Sequence, residues 1–408
     1  MSAQTETHEA ASPKASNRLP FAVYLLAFSL FAMGSAEFLL AGVLPDIADD
    51  LHISLSSAGS LISAFAIGVV IGGPPLAVLT LRWPRRTTLV VSQVLFALFV
   101  AVGLVADNLT VLIITRFLCG LAYAGFWAVA AVTAIGLVTP DRTARASGVV
   151  VSGLSIAMVA GGPAGALLSH FTGWRGGFWA VVALTVLGAL STAVVVPTTK
   201  AVQEPSVSRE LRTMRKPQLW VVYAATLLST AAYMISYNYL AAFLKDITHV
   251  GSVWVPAILV LFGVGAFIGL SVGGRIADGR PHHALLIGAG GILVTSALLA
   301  VLGHHVVAVV ILVLLLGVAG FVLNPAIYGR VFTVAADAPT LAGATAVSMF
   351  QLGISLVPVL AGVAMGAGAS LDAIPWLGAG IAVLTIPVVL VERTMARGRA
   401  GSPGTVEV

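Results

Sequence analysis

Apolar residues run along this chain in unbroken stretches of about twenty, separated by short polar connections. A stretch of that length crosses the hydrocarbon layer as a helix, and the pattern predicts spans at 20–44, 56–80, 88–106, 110–137, 146–169, 177–196, 219–243, 253–274, 284–303, 306–328, 342–367 and 374–391. Segments of ~10 residues with alternating polarity, the mark of a membrane β-barrel, are absent from the pattern. The longest polar interruption, PTTKAVQEPSVSRELRTMRKPQ at 197–218, carries Pro197, Pro205 and Pro217 and divides the spans into six and six. The expected fold is therefore all-α: twelve transmembrane helices in two six-helix bundles. The bundles occupy 20–196 and 219–391, with polar tails at 1–19 and 392–408 and the linker between.

The two halves resemble each other. An offset of 197 carries Pro20 onto Pro217, Ala77 onto Gly274 and Pro84 onto Pro281, and an offset of 195 carries Gly148 onto Gly343 and Pro163 onto Pro358. Repeated six-helix halves are common among secondary transporters, where the binding site lies at the repeat interface near mid-membrane.

Composition and charge agree with a hydrocarbon solvent. Of 408 residues, 59% are hydrophobic and only 9% charged, against about 25% in soluble globular proteins. The net charge of +5 raises nucleic acid as a partner, but position decides otherwise. Of the 21 Lys and Arg, Arg116 lies within a span and Arg175 and Lys245 lie on one side. The other eighteen lie in the tails, the linker and connections on the opposite side, which predicts both termini in the cytoplasm. The single cysteine, Cys119, sits in an apolar run and excludes a disulfide framework. The polar stretch before residue 20 carries Lys14 and Arg18 and is expected to precede an uncleaved first helix.

Two charges fall deep in spans. Glu37, in the first, and Arg116, in the fourth, each sit about seven residues from the outer end of their predicted helix, at similar depth. A carboxyl at that depth costs roughly 2.5–3.5 kcal/mol on insertion scales, so it needs compensation, and Arg116 is its natural neighbour. The chemistry expected of Glu37 is uptake and release of a proton as access alternates, with Arg116 tuning its charge; a structural ion pair is the competing reading. Helix 4 continues as a stripe of Gly120, Tyr123 and Trp127, expected to line a cavity together with Met33 and Gly34 of helix 1. On helix 7, Tyr233, Tyr237 and Asn238 form either a second cavity wall or part of an aromatic belt at the outer interface. Gln351, in helix 11, offers an amide to a substrate or to a neighbouring helix. GGPAG at 161–165, with Gly162 and Pro163, predicts a hinge or a tight packing seam. Trp174 and Arg175 are expected to cap a loop, and Asp46, His282, His283, His304 and His305 to be solvated.

Patterns that imitate enzymes lack their setting. GLSVG at 269–273 lies in an apolar helix without a strand–turn–helix elbow. GVGAFIG at 263–269 follows no strand, and no lysine follows a glycine as an ATP-binding loop requires.

These motifs resemble the major facilitator superfamily, and more narrowly its twelve-span drug/proton antiporters, over residues 20–391. RWPRR at 82–86 occupies the place of that superfamily's basic loop motif, and GGRIADGRPHH at 273–283 is similar to its repeat between helices 8 and 9. LIITRFLCGLAYAG at 112–125 resembles the helix 4 motif built around an arginine used in proton coupling, here Arg116. GGPAG resembles the helix 5 antiporter motif, with Ala166 where a second glycine is usual. The acidic residue of the first loop motif would fall at Leu81, whereas its counterpart Asp278 is present. The resemblance implies gating roles for Arg82, Arg85, Arg86, Gly162, Pro163 and Asp278. GSAEFLLAGVLPDIADDL at 34–51 looks most like actinobacterial chloramphenicol-efflux proteins, and Glu37 matches the acidic helix 1 residue of related exporters. The resemblance therefore implies a proton-coupled exporter of small amphipathic antibiotics in a bacterial cell membrane, chloramphenicol first and sugars or metabolites as the alternative. It implies a monomer with no enzyme activity, no metal and no cofactor, driven by the proton gradient.

Overall fold

A chain in hydrocarbon must satisfy every backbone polar group internally, and helices do so within each segment. The computed structural model describes residues 19–80, 83–106, 108–139, 143–198, 211–336 and 339–400. Among them, twelve helices are long and apolar enough to cross a membrane. They are α1 (Phe21–Asp50), α2 (Leu55–Leu76), α3 (Arg85–Val105), α4 (Leu109–Gly136), α5 (Gly148–Thr172) and α6 (Trp174–Val195), then α7 (Pro217–Asp246), α8 (Ser252–Ala277), α9 (Pro281–Leu302), α10 (Val306–Val334), α11 (Leu341–Gly366) and α12 (Ala373–Arg397). Both described chain ends, Leu19 and Ala400, lie at one end of the molecule, called here the near end; the connection between α1 and α2 marks the far end.

Small residues set how closely the helices approach. A side chain on Gly68 of α2 would strike the carbonyl of Phe117, and one on Gly120 of α4 would strike that of Phe65. The same contacts recur 197 residues later, where Gly265 of α8 faces the carbonyl of Leu314 and Gly317 of α10 faces that of Phe262. Membrane helices gain no hydrophobic driving force from one another, so glycines that admit backbone-to-backbone packing carry the association. Gly120, expected on the cavity wall, is thus a packing residue whose missing side chain lets α4 rest on α2.

Three spans are interrupted. In α5, residues Ala157–Gly161 form a π-turn in which the Gly162 amide donates to the Ala157 carbonyl; Pro163, which lacks an N–H, follows at once. The seam expected from GGPAG is present: Gly161 abuts Ser35, Gly162 abuts Phe38 and Gly165 abuts Leu39, all on α1. α7 breaks at Tyr239, between Pro217–Asn238 and Leu240–Asp246. α10 breaks at Leu323, where Pro325 cannot donate to the carbonyl one turn before it.

The halves touch through α2 with α11, through α1 with the Leu240–Asp246 piece of α7, and through the π-turn and far half of α5 with α8. Ser63 Oγ donates to the Ser355 carbonyl across the first of these contacts at 2.7 Å. At the far end Lys245 Nζ lies 2.8 Å from Asp46 Oδ1, joining α7 to α1. Toward the near end Thr143–Ile156 scarcely meets α8, whereas α2 stays on α11, with Gly73 against Ser348.

Several expectations need correction. α1 runs to Asp50, six residues past its expected end, because Pro45 is accommodated inside it and Asp50 is held by Trp174 Nε1 at 3.0 Å and Arg175 Nη1 at 2.7 Å. Asp46 is paired with Lys245 rather than merely solvated. The two basic residues on the far side, Arg175 and Lys245, thus each meet an acid of α1. The last helix continues to Ala400 and brings Glu392 inside, 1% exposed. Its carboxylate accepts from Arg330 Nη2 at 2.7 Å and Gln218 Nε2 at 3.0 Å and bonds the His282 ring. His282 is therefore part of a buried network tying α7, α9, α10 and α12, not a solvated loop residue.

Gly120→Val puts a branched side chain against the Phe65 carbonyl. It is expected to destabilise the protein by about 3 kcal/mol or more in thermal or denaturant unfolding, with loss of folded yield. Gly290→Ala adds a methyl into open space inside α9 and is expected to leave the melting temperature unchanged or raised.

Candidate functional site

Glu37 lies on α1 where the two halves face each other. It keeps partial exposure although Ala36 and Phe38 beside it are buried. One of its oxygens, Oε1, is buried without a protein partner. Gln351 of α11, 2% exposed, is placed to hydrogen-bond the carboxyl, and Arg116 of α4 is its nearest electrostatic counter-charge. Tyr123 of α4 and Tyr233 and Tyr237 of α7 lie within electrostatic reach of the same carboxyl. Helices from both halves thus converge on one acid.

Arg116 does not form a direct ion pair with Glu37; the two interact through space. Its Nη2 donates to the Ala36 carbonyl at 3.4 Å, one residue from Glu37. The guanidinium carbon lies 4.9 Å from the centre of the Phe65 ring and 5.8 Å from that of Phe178, near enough for cation–π attraction. Nε and Nη1 have no partner, although the residue is only 7% exposed. A buried guanidinium held by ring faces and one carbonyl keeps its charge available to respond to Glu37.

The tyrosines are held by packing rather than by hydroxyl partners. Tyr237 stacks on Phe262 with ring centres 4.3 Å apart and meets Phe38 edge-on at 6.4 Å. Tyr233 lies against Phe321 at 5.3 Å, and Tyr123 against Phe65 at 5.4 Å. Tyr237 and Tyr239 are each 1% exposed, so they do not belong to an aromatic belt facing lipid headgroups. The buried hydroxyls of Tyr233, Tyr237 and Tyr239, Nδ2 of Asn238, Oε1 of Gln351 and Oγ of Ser348 are without geometric hydrogen-bond partners. Buried polar atoms are rarely left so, and a cluster of them at mid-membrane marks a place where water or a ligand supplies the missing bonds.

Of the other residues singled out in the sequence, Met33 is fully buried on α1 and Gly34 packs against Leu154 and Ala157, with the Tyr123 hydroxyl beyond. Trp127 is partly exposed and lies beside the Tyr123 hydroxyl. Arg85 Nη1 donates to the Val132 carbonyl at 3.1 Å and Arg86 Nη1 to Thr198 Oγ1 at 3.4 Å. Both contacts lie within the first half, so among the described residues neither arginine latches the halves together. The positive charge of Arg85 sits at the carbonyl end of α4, where the helix dipole favours it. Arg82 and the side chain of Asp278 lie outside the described residues. Asn324 and Tyr328 of α10 join the site without having been singled out; the signal in the sequence was the Asn–Pro step at 324–325, which breaks a span at mid-depth.

The sequence profile of the Major Facilitator Superfamily matches residues 26–358. A chloramphenicol resistance protein of Streptomyces lividans is 39% identical over 352 residues, covering 85% of this chain and 90% of that protein. The inner membrane transport protein YdhP of Escherichia coli K12 is 31% identical over 379 residues, 92% of this chain and 96% of its own length. Among solved structures, the nucleoside transporter NupG superimposes with a TM-score of 0.73 at 14% identity, covering 91% of this chain and 99% of that one, which establishes the shared fold. Twelve apolar helices, repeated glycine contacts in the two halves and a match spanning most of the sequence make this multi-pass membrane transport protein a member of the Major Facilitator Superfamily.

Proposed function

We propose that this transporter exports small amphipathic antibiotics, chloramphenicol first, in exchange for protons, with Glu37 as the proton carrier. The observation that carries the reading is the Glu37 carboxyl at the interface of the halves, with one buried oxygen unpartnered and buried aromatic hydroxyls and the Gln351 amide near it. The resistance protein of Streptomyces lividans, similar over most of both chains, supports the substrate.

The chemistry follows from the arrangement. Ionised Glu37 is held by the through-space attraction of Arg116 and by Gln351. A neutral drug entering from the near end brings rings for Tyr237 and Phe262 and hydroxyl or amide groups for Asn238, Gln351 and the tyrosines. It competes with the proton for the same carboxyl, so each expels the other. Opening of the far end releases the drug and admits a proton; closure returns Glu37 to the near side, where the proton leaves. One proton falling through ~100 mV supplies about 2.3 kcal/mol, enough for a roughly 50-fold gradient of a neutral solute. Eighteen of the 21 basic residues lie toward the near end of the chain's spans or in its tails and linker, which supports a cytoplasmic near end, as export requires. The Asp46–Lys245 pair then closes the outer side, with Arg85 holding the inner end of α4.

Glu37→Gln keeps the shape and removes the titration. In proteoliposomes it is expected to abolish uphill drug movement, a loss of about 100-fold or more, while the protein stays folded by size-exclusion and melting; uphill transport at the normal rate removes Glu37 from the coupling step. Expression in a susceptible bacterium is expected to raise chloramphenicol tolerance several-fold, and a protonophore is expected to erase the gain. Unchanged tolerance with the protein correctly inserted sinks the substrate assignment.

A further inference from the structure

Arg116 also faces a space that the transport cycle described above does not use. A cavity of about 30 Å³ lies inside the first half, among α1, α2, α3, α4 and α6, with Arg116 in its wall. It extends toward the far end as far as Trp174 and Leu104. That roof is tied down. Trp174 Nε1 and Arg175 Nη1 both donate to Asp50 Oδ2, Arg175 Nε donates to the Leu104 carbonyl, and the Arg175 guanidinium lies 4.3 Å from the Trp174 ring centre. The walls are apolar apart from Cys119 and Thr115, whose hydroxyl is already committed to the Leu112 carbonyl.

A void lined by hydrocarbon stays dry, but this one has a cation in its wall. Nε and Nη1 of Arg116 are buried donors with no protein partner. A guanidinium cannot shed its proton to escape the cost, so its free N–H groups must be solvated or paired. Water needs some 10–15 Å³ per molecule, and the cavity has room for about two. We propose that this cavity is a water-binding site serving Arg116. About two waters, exchanging with the far side past the Trp174–Asp50–Arg175 roof, accept hydrogen bonds from Nε and Nη1 and keep the guanidinium solvated.

The site acquires its use from the proton-exchange reading, on which this last step rests. While Glu37 is ionised it supplies Arg116 with a counter-charge. Once Glu37 takes a proton that charge is gone, and Arg116 is left a lone cation at membrane depth. The waters behind it bear that half of the cycle, so the neutral state of Glu37 carries no stranded charge.

Cys119, the chain's single cysteine, lines the cavity and is fully buried, so its sulfur reports water there. In radiolytic hydroxyl-radical footprinting of the whole protein in lipid nanodiscs, Cys119 is expected to be oxidised readily. The rate should fall about five-fold when Leu112→Phe fills the cavity and rise when Trp174→Ala removes its roof. A Cys119 that resists oxidation in both the unaltered protein and Trp174→Ala overturns the proposal. A thermal double-mutant cycle guards against misfolding: Leu112→Phe should lower the melting temperature beside Arg116 and cease to do so in an Arg116→Leu background. Equal loss in both backgrounds means simple overpacking, and a gain in both means a dry void; either contradicts the water site. A melting temperature that rises with millimolar chloride but not gluconate identifies an anion as the occupant and likewise contradicts it. None of these readouts involves transport, so uphill pumping by Glu37→Gln would remove the coupling reading while leaving hydration of Arg116 to be judged separately.

Discussion

An ionisable carboxyl halfway through a hydrocarbon layer is costly unless something nearby offsets its charge, and the first half of this protein is organised around that cost. Glu37 is compensated at a distance by Arg116, which in turn is held by the Ala36 carbonyl and two phenyl rings rather than by a carboxylate clamp. A direct, fully bonded ion pair at this depth would be hard to break, because removing one partner of a buried pair costs several kcal/mol. Separation leaves both groups responsive. The second half lacks the pair altogether: shifted by 197 residues, Glu37 falls on Met234 and Arg116 on Val313. The repeat has kept its glycine contacts in both halves and its charges in only one.

That asymmetry divides the labour between the halves. α7, which replaces charge with Tyr233, Tyr237 and Asn238, presents rings and hydroxyls suited to recognising a molecule, while α1 and α4 present the groups suited to a proton. Irregular backbone accompanies both, at the π-turn of α5 and at the breaks in α7 and α10. In a membrane such departures from helix are tolerated where they line a cavity or are buried in protein, and here they flank the polar cluster.

The spans and their number were legible because hydrocarbon imposes a length on every apolar run. Glu37 and Arg116 were legible because charge is rare at depth, and their residue numbers alone placed them at one level. Azimuth was not legible: the spacing that put Gly120, Tyr123 and Trp127 on one stripe could not show that Gly120 meets the Phe65 carbonyl of α2 while Trp127 sits beside the Tyr123 hydroxyl. Nor could local pattern reveal partners far apart in sequence. The Asp46–Lys245 contact spans 199 residues, and Glu392 gathers Arg330, Gln218 and His282 only once four helices have packed. Arg85 and Arg86, read as gating groups by resemblance, turn to α4 and Thr198 because the carbonyl end of a helix attracts the nearest cations.

If drug and proton compete for Glu37, binding one must displace the other, and the displaced proton can be counted. Purified protein in weakly buffered solution near neutral pH, titrated with chloramphenicol while a pH indicator is followed, is expected to release up to about one proton per drug bound, and none in Glu37→Gln. Saturable drug binding with no proton released at any pH between about 6 and 8 would contradict the account.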